Sequence, residues 1–139
     1  MVLCIAIFDS NNIPLYNQTA DKELSRVAEL SLFAYSSLDV LCEDKDRQNN
    51  ASRSPDLYVG LLLEDNKIKS FGYLTNTGNK LILIFDCEAY KQYKEHDVRV
   101  FFSRLHIALC SSFFNPFYNF GEQIECKQMK KIASEILST

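Results

Sequence analysis

Residues 56–86 read DLYVGLLLEDNKIKSFGYLTNTGNKLILIFD, and this stretch decides the fold. It holds three apolar and aromatic runs, separated by Asn66-Lys67 and by Thr77-Gly78-Asn79. Short runs joined by tight turns predict three strands of an antiparallel meander. The last run, Leu81 to Phe85, is apolar at every position instead of alternating. A strand of that kind has both of its faces covered.

Outward from the meander, a second run shares this property: Val2 to Phe8, VLCIAIF. The turn residues Asp9 to Asn12 follow it, and IPLYNQ at 13–18 resumes in a β-compatible way, so the N-terminus reads as a hairpin. The two doubly covered strands belong side by side in the sheet centre. With hairpin neighbours kept adjacent, the strand order becomes 2-1-5-4-3.

Helical spacing runs from Lys22 to about Asp44, more weakly from Tyr90 and clearly from Asp97, and again from about Gln123. The element order is then β-β-α-β-β-β-α-α. It predicts an α/β (α+β) sandwich: a five-stranded antiparallel sheet with one helix on one face and two on the other. The 139 residues, 47% hydrophobic, form one domain spanning 1–139. Residues 43–56, EDKDRQNNASRSPD, carry charge and turn formers with Ala51 as their one apolar residue, and read as a mobile loop.

Composition removes several classes of function. Eighteen acidic and 15 basic residues leave a net charge of -3 with no basic block. Nucleic acid is therefore not an expected partner, since phosphate contacts need clustered Lys and Arg. The N-terminal run lacks a basic n-region and a cleavage site, and no apolar run reaches the roughly 20 residues of a membrane span, so a cytosolic chain is expected. The sequons at Asn17 and Asn50 then carry no weight. Cys4, Cys42, Cys87, Cys110 and Cys126 are odd in number and widely spaced, with no C-x-x-C pair, which predicts reduced core thiols.

Chemistry is hard to find. His96 lies in a charged stretch near a helix start, and His106 falls one step off the Phe102–Leu105 face. Gly60 and Gly72 sit inside strands, where glycine marks a bulge or a close backbone approach, and no glycine-rich phosphate loop is present. No nucleophile–base pair, carboxylate pair or metal set stands out, so neither an enzyme nor a cofactor is expected.

Two features point to contacts instead. On the first helix, Leu24, Val27, Ala28, Ser31, Tyr35, Leu38 and Cys42 form one stripe, which reads as the core side. Leu30, Phe33, Val40 and Leu41 form a second arc away from it, which reads as a partner surface; helix tilt or the 43–56 loop covering that arc is the plainer alternative. In NPFYNFGE, 115–122, Pro116 ends the second long helix. Phe117 and Tyr118 read as a plug closing the core end, with a partner contact as the other reading.

SSLDV (36–40), LYVGLLLEDNKIKSFGYLTN (57–76) and NPFYN (115–119), in combination and along nearly the whole chain, resemble the sedlin group of longin-like TRAPP subunits. The resemblance implies a longin-like fold and a non-catalytic adaptor role in TRAPP, the multisubunit tethering complex and Rab guanine-nucleotide exchange factor of ER-to-Golgi and Golgi traffic. Other subunits of that complex build the exchange surface. The implied partners are thus other TRAPP subunits, with a Rab GTPase reached indirectly. The implied location is cytoplasmic, perinuclear and ER/Golgi-associated, with membrane contact only through the complex. Asp39 matches the aspartate of the family's SLDV stretch and is implied as an interface residue. Phe120 departs from the pattern, where proline is usual.

Two other readings stand beside this one. Another longin-domain trafficking protein, such as an adaptor-coat small subunit, would share the fold but leave NPFYN unexplained. A longin SNARE would need a heptad helix and an anchor beyond Thr139. A small α/β acyltransferase would need a pyrophosphate loop at a strand–helix junction, yet NQTADK and DCEAYK contain no glycine.

Overall fold

The computed structural model describes residues 2–48, 58–75, 77–90, 93–119, 122–124 and 127–138. Strands β1 (Val2–Phe8) and β2 (Pro14–Thr19) are followed by a 3₁₀ turn at Asp21–Arg26 and by helix α1 (Val27–Gln48). Then come β3 (Tyr58–Glu64), β4 (Ile68–Leu74) and β5 (Lys80–Asp86), the single turn α2 (Cys87–Tyr90), and helices α3 (Glu95–Phe113) and α4 (Lys127–Leu137). The sheet order is β2-β1-β5-β4-β3 and every neighbouring pair is antiparallel, as the doubly covered strands predict.

All seven residues of β1 are buried because each sheet face carries its own core. Val2, Ile5 and Ile7 join Leu81, Leu83 and Phe85 under α3 and α4. Leu3, Cys4, Ala6 and Phe8 join Ile82 and Ile84 under α1. Two consecutive residues, Leu3 and Cys4, face the same way because the β1–β5 register shifts between Val2 and Cys4.

The two strand glycines behave as their positions predict. Gly60 takes φ +101 beside a register shift in β3. At Gly72 a Cβ would fall 2.7 Å from Leu62 Cδ1, so the backbone approaches that side chain closely.

Helix boundaries differ from expectation: Asp21–Arg26 is a 3₁₀ turn and α1 begins at Val27, not Lys22, and α4 begins at Lys127, not near Gln123. The first helix extends to Gln48, so 43–48 are helical and not loop; Glu, Lys, Arg and Gln are good helix formers. The rest of the expected loop, 49–56, lies outside the described residues, as do Phe120 and Gly121.

Helix α1 is tied to the sheet by a buried polar relay. The Ser37 and Ser70 hydroxyls lie 2.6 Å apart, both fully buried. Leu63 N–H donates to Ser70 Oγ at 3.1 Å, and the Ser37 hydroxyl lies 2.8 Å from the Phe33 carbonyl it can donate to. Ser70→Ala is expected to cost about 1–3 kcal/mol by stranding Leu63 N–H. Urea unfolding of Ser37→Ala, Ser70→Ala and the double variant should then show clearly less than additive losses.

Candidate functional site

Helix α1 rests on the sheet through Leu30, Ala34, Ser37, Leu38 and Leu41, all buried. Their spacing of four, seven, eight and eleven residues is a single helical face. This corrects the expected outward arc. Leu30 and Leu41 are fully buried in the core beneath α1, and Phe33 and Val40 pack half-buried at its margin.

The expected core stripe is largely outside. Leu24, Val27 and Tyr35 are 59%, 41% and 47% exposed, while Leu38 is buried as expected. Two physical causes reverse the arcs. The 3₁₀ entry at Asp21–Arg26 turns through three residues per turn, so Leu24 is not in phase with the α-helix after it. The inward face also carries Ala34 and Ser37, small residues that let the helix approach the sheet and that a count of apolar residues undervalues.

The outer face of α1 is therefore Ala28, Leu32, Tyr35, Ser36 and Asp39, all exposed. Leu32 is 70% exposed, and the Tyr35 ring leans on Phe8 with centroids 5.4 Å apart. Residues 28, 32, 35 and 39 recur at helical spacing, so Asp39 is part of this face and not beside it. The face offers two large apolar side chains next to one carboxylate.

The connector after α3 divides its aromatics. Tyr118 is half-buried, its ring 5.4 Å from that of Phe113, and its hydroxyl donates to the Glu122 carbonyl at 2.8 Å. Phe117 is 90% exposed, so of these two residues it is Tyr118 that closes the core end. Asn115 sets this turn: its side chain accepts Phe117 N–H at 3.1 Å and its carbonyl accepts Tyr118 N–H at 3.0 Å. Phe114, which the sequence does not single out, is 86% exposed. Phe114 lies outside the Phe102–Leu105–Leu109 stripe, which is the sequence signal for its exposure.

His106 Nδ1 lies 3.2 Å from Tyr73 Oη between α3 and β4, and His96 is exposed near the start of α3. Burial pushes the Cys4 thiol up to about 11, against a smaller opposing effect of the Thr19 hydroxyl. Cys4 is an inert core thiol, but Cys42 and Cys87 are half-buried and Cys110 is exposed, which corrects the expectation of uniformly buried thiols. Among the described residues no group of three or more His, Cys, Asp or Glu is placed to hold a metal ion.

Burial lowers the His106 pKa, so the unfolded chain binds the extra proton first as pH falls. Its stabilising effect is complete above the unfolded value of about 6.5 and is lost as pH drops through the lower folded value. His106→Gln should flatten the pH dependence of Tm in that window and leave it unchanged above pH of about 7.

A five-stranded antiparallel sheet of order β2-β1-β5-β4-β3, with one long helix on one face and two on the other, defines a longin-like α+β domain. Within that class the chain belongs to the sedlin family, whose model, described as Sedlin, matches residues 7–138. It is similar to the trafficking protein particle complex subunit 2-like protein of Dictyostelium discoideum, 34% identical over 130 residues that cover 91% of this chain and 89% of that protein. The proteins of the same name from Rattus norvegicus and Bos taurus are 28% and 27% identical over 138 residues, covering 99% of this chain and 97% of theirs.

Proposed function

We propose that this chain is a non-catalytic assembly subunit of the TRAPP tethering complex, acting in ER-to-Golgi and Golgi transport. The observation that carries the proposal is similarity along nearly the whole chain to proteins named as subunits of that particle. In this reading the chain contacts other TRAPP subunits, serves Rab nucleotide exchange only through the assembled complex, and reaches perinuclear ER and Golgi membranes from the cytoplasm through its partners.

The outer face of α1 is the surface proposed for one such contact. Leu32 and Tyr35 supply an apolar centre, and Asp39 supplies a charge that fixes register and rejects wrong partners. Tagged chain recovered from cells and analysed by mass spectrometry should bring down TRAPP subunits. Asp39→Arg or Leu32→Asp should lower that recovery by about tenfold or more. Both should melt within about 2 °C of the parent, as exposed substitutions do. Recovery of no TRAPP subunit by the unaltered chain would defeat the proposal.

A further inference from the structure

At one end of the sandwich the β1–β2 turn, the β4–β5 turn and the connector after α3 converge on Tyr118. Two clefts open there, and Tyr118 lines both. One, of about 400 Å³, sets Phe117 and the buried Ile124 beside the polar residues Ser112, Asn115, Glu122 and Gln123. The other, of about 390 Å³, is walled by Ile13, Leu15 and Phe113 and carries Asp9.

The charged side chains that line the two clefts have one sign. Asp9 and Glu122 are the charged groups among the described lining residues. No Asp, Glu, Lys or Arg occurs between Arg104 and Glu122 in the sequence. The neighbouring Lys80 is 2% exposed, with its ammonium held by the Ser10 carbonyl and Asn12 Oδ1, and it lines neither cleft.

Both rims are held in place. Asp9 Oδ1 accepts the N–H groups of Asn11 and Ile13 at 2.8 and 2.9 Å, which fixes the carboxylate on its turn. The Tyr118 hydroxyl and the Asn119 carbonyl fix the backbone at Glu122. Ile124 is anchored in turn by its N–H donating to the Leu15 carbonyl at 2.8 Å, which links the walls of the two clefts.

We infer that this twin cleft is a second docking site, for an extended peptide segment of a partner protein that carries two bulky apolar side chains and an adjacent lysine or arginine. Alternate side chains of an extended segment lie on the same side, about 7 Å apart, so one residue pair can step across Tyr118 and fill both clefts. The basic residue meets the acidic rim. A lipid surface fits less well, because anionic headgroups would face Asp9 and Glu122 with no basic side chain among the described lining residues to receive them.

The site is formed by the two turns and the connector after α3, and it does not depend on the outer face of α1. Its test is separate from TRAPP recovery. Random dodecapeptides displayed on phage are selected on the immobilised full chain, and one enriched sequence is synthesised and titrated. The expected result is enrichment of two bulky apolar residues separated by one position beside Lys or Arg. Asp9→Asn with Glu122→Gln keeps the turn acceptor while removing both charges. This double variant should bind the peptide about tenfold more weakly with an unchanged Tm, and Ile13→Glu should abolish binding.

Enrichment of a different pattern, no enrichment, or equal binding by these variants overturns the inference. So does sedimentation of the chain with phosphatidylcholine–phosphatidylserine vesicles that Phe117→Ser removes, which would assign this end to lipid.

Discussion

Leu30→Asp is expected to abolish the cooperative melting transition, whereas Leu32→Asp, two residues along the same helix, should melt within about 2 °C of the parent. Leu30 is fully buried beneath α1, among Leu3, Ala6 and Ile84. A carboxylate there loses the apolar transfer energy of about 1.5–3 kcal/mol and adds an effective desolvation penalty of several kcal/mol for the ion. Together these approach the whole stability of an ordinary domain, about 5–15 kcal/mol. Protonation of the carboxyl would soften the penalty, so the loss should be greatest at neutral pH and smaller near pH of about 4.

Leu32 is 70% exposed, and its replacement removes little buried area. The pair therefore reads helix orientation directly in circular dichroism melts. If Leu32→Asp unfolds and Leu30→Asp does not, α1 faces the other way, and Leu30, Phe33, Val40 and Leu41 return as the partner surface. With the orientation described, those four belong to the core and its margin, and the interface assignment moves to Leu32, Tyr35 and Asp39.

The sheet was legible in the sequence because its evidence is redundant. Two strands apolar at every position define the centre, and three tight connections define the neighbours. Helix α1 was legible as a helix but not in its rotation. Both its arcs carry enough apolar residues for a core, and the deciding residues are Ala34 and Ser37, whose small size and buried hydroxyl matter only against a particular sheet. Asp39 was named from its SLDV context and falls on the outer face through the geometry of α1. The twin cleft was not legible, because Asp9, Ile13, Phe113 and Tyr118 come from distant segments.

The connector shows a related limit. A run of aromatics indicates an apolar requirement but not which ring meets it. Tyr118 turns inward because its ring reaches Phe113 and its hydroxyl reaches the Glu122 carbonyl, satisfying both ends of an amphipathic side chain. Phe117, one residue earlier in a tight turn, is directed to solvent. A chain with contacts at the outer face of α1 and at the Tyr118 end would hold two partners at once, which is what an assembly subunit requires.

Phe102→Ala should give the second large effect, a loss of about 3–5 kcal/mol and a fall in Tm on the order of 10 °C. Phe102 is fully buried on α3, with its ring stacked on Tyr73 at 5.4 Å and 15° and tilted against Tyr58 at 5.9 Å. The Arg99 guanidinium lies 4.5 Å over the other partner, Tyr58, so one turn of α3 holds both β4 and the edge strand β3. The loss should therefore be uneven. Hydrogen exchange in Phe102→Ala should quicken first in β3, which has a neighbour on one side only, and last in β1 and β5 at the sheet centre. Phe102→Leu separates area from ring geometry: it keeps most of the apolar volume, and its smaller cost, about 1–2 kcal/mol, measures what the stack on Tyr73 adds. An even quickening across all five strands would mean that Phe102 supports the core as a whole and does not anchor that edge.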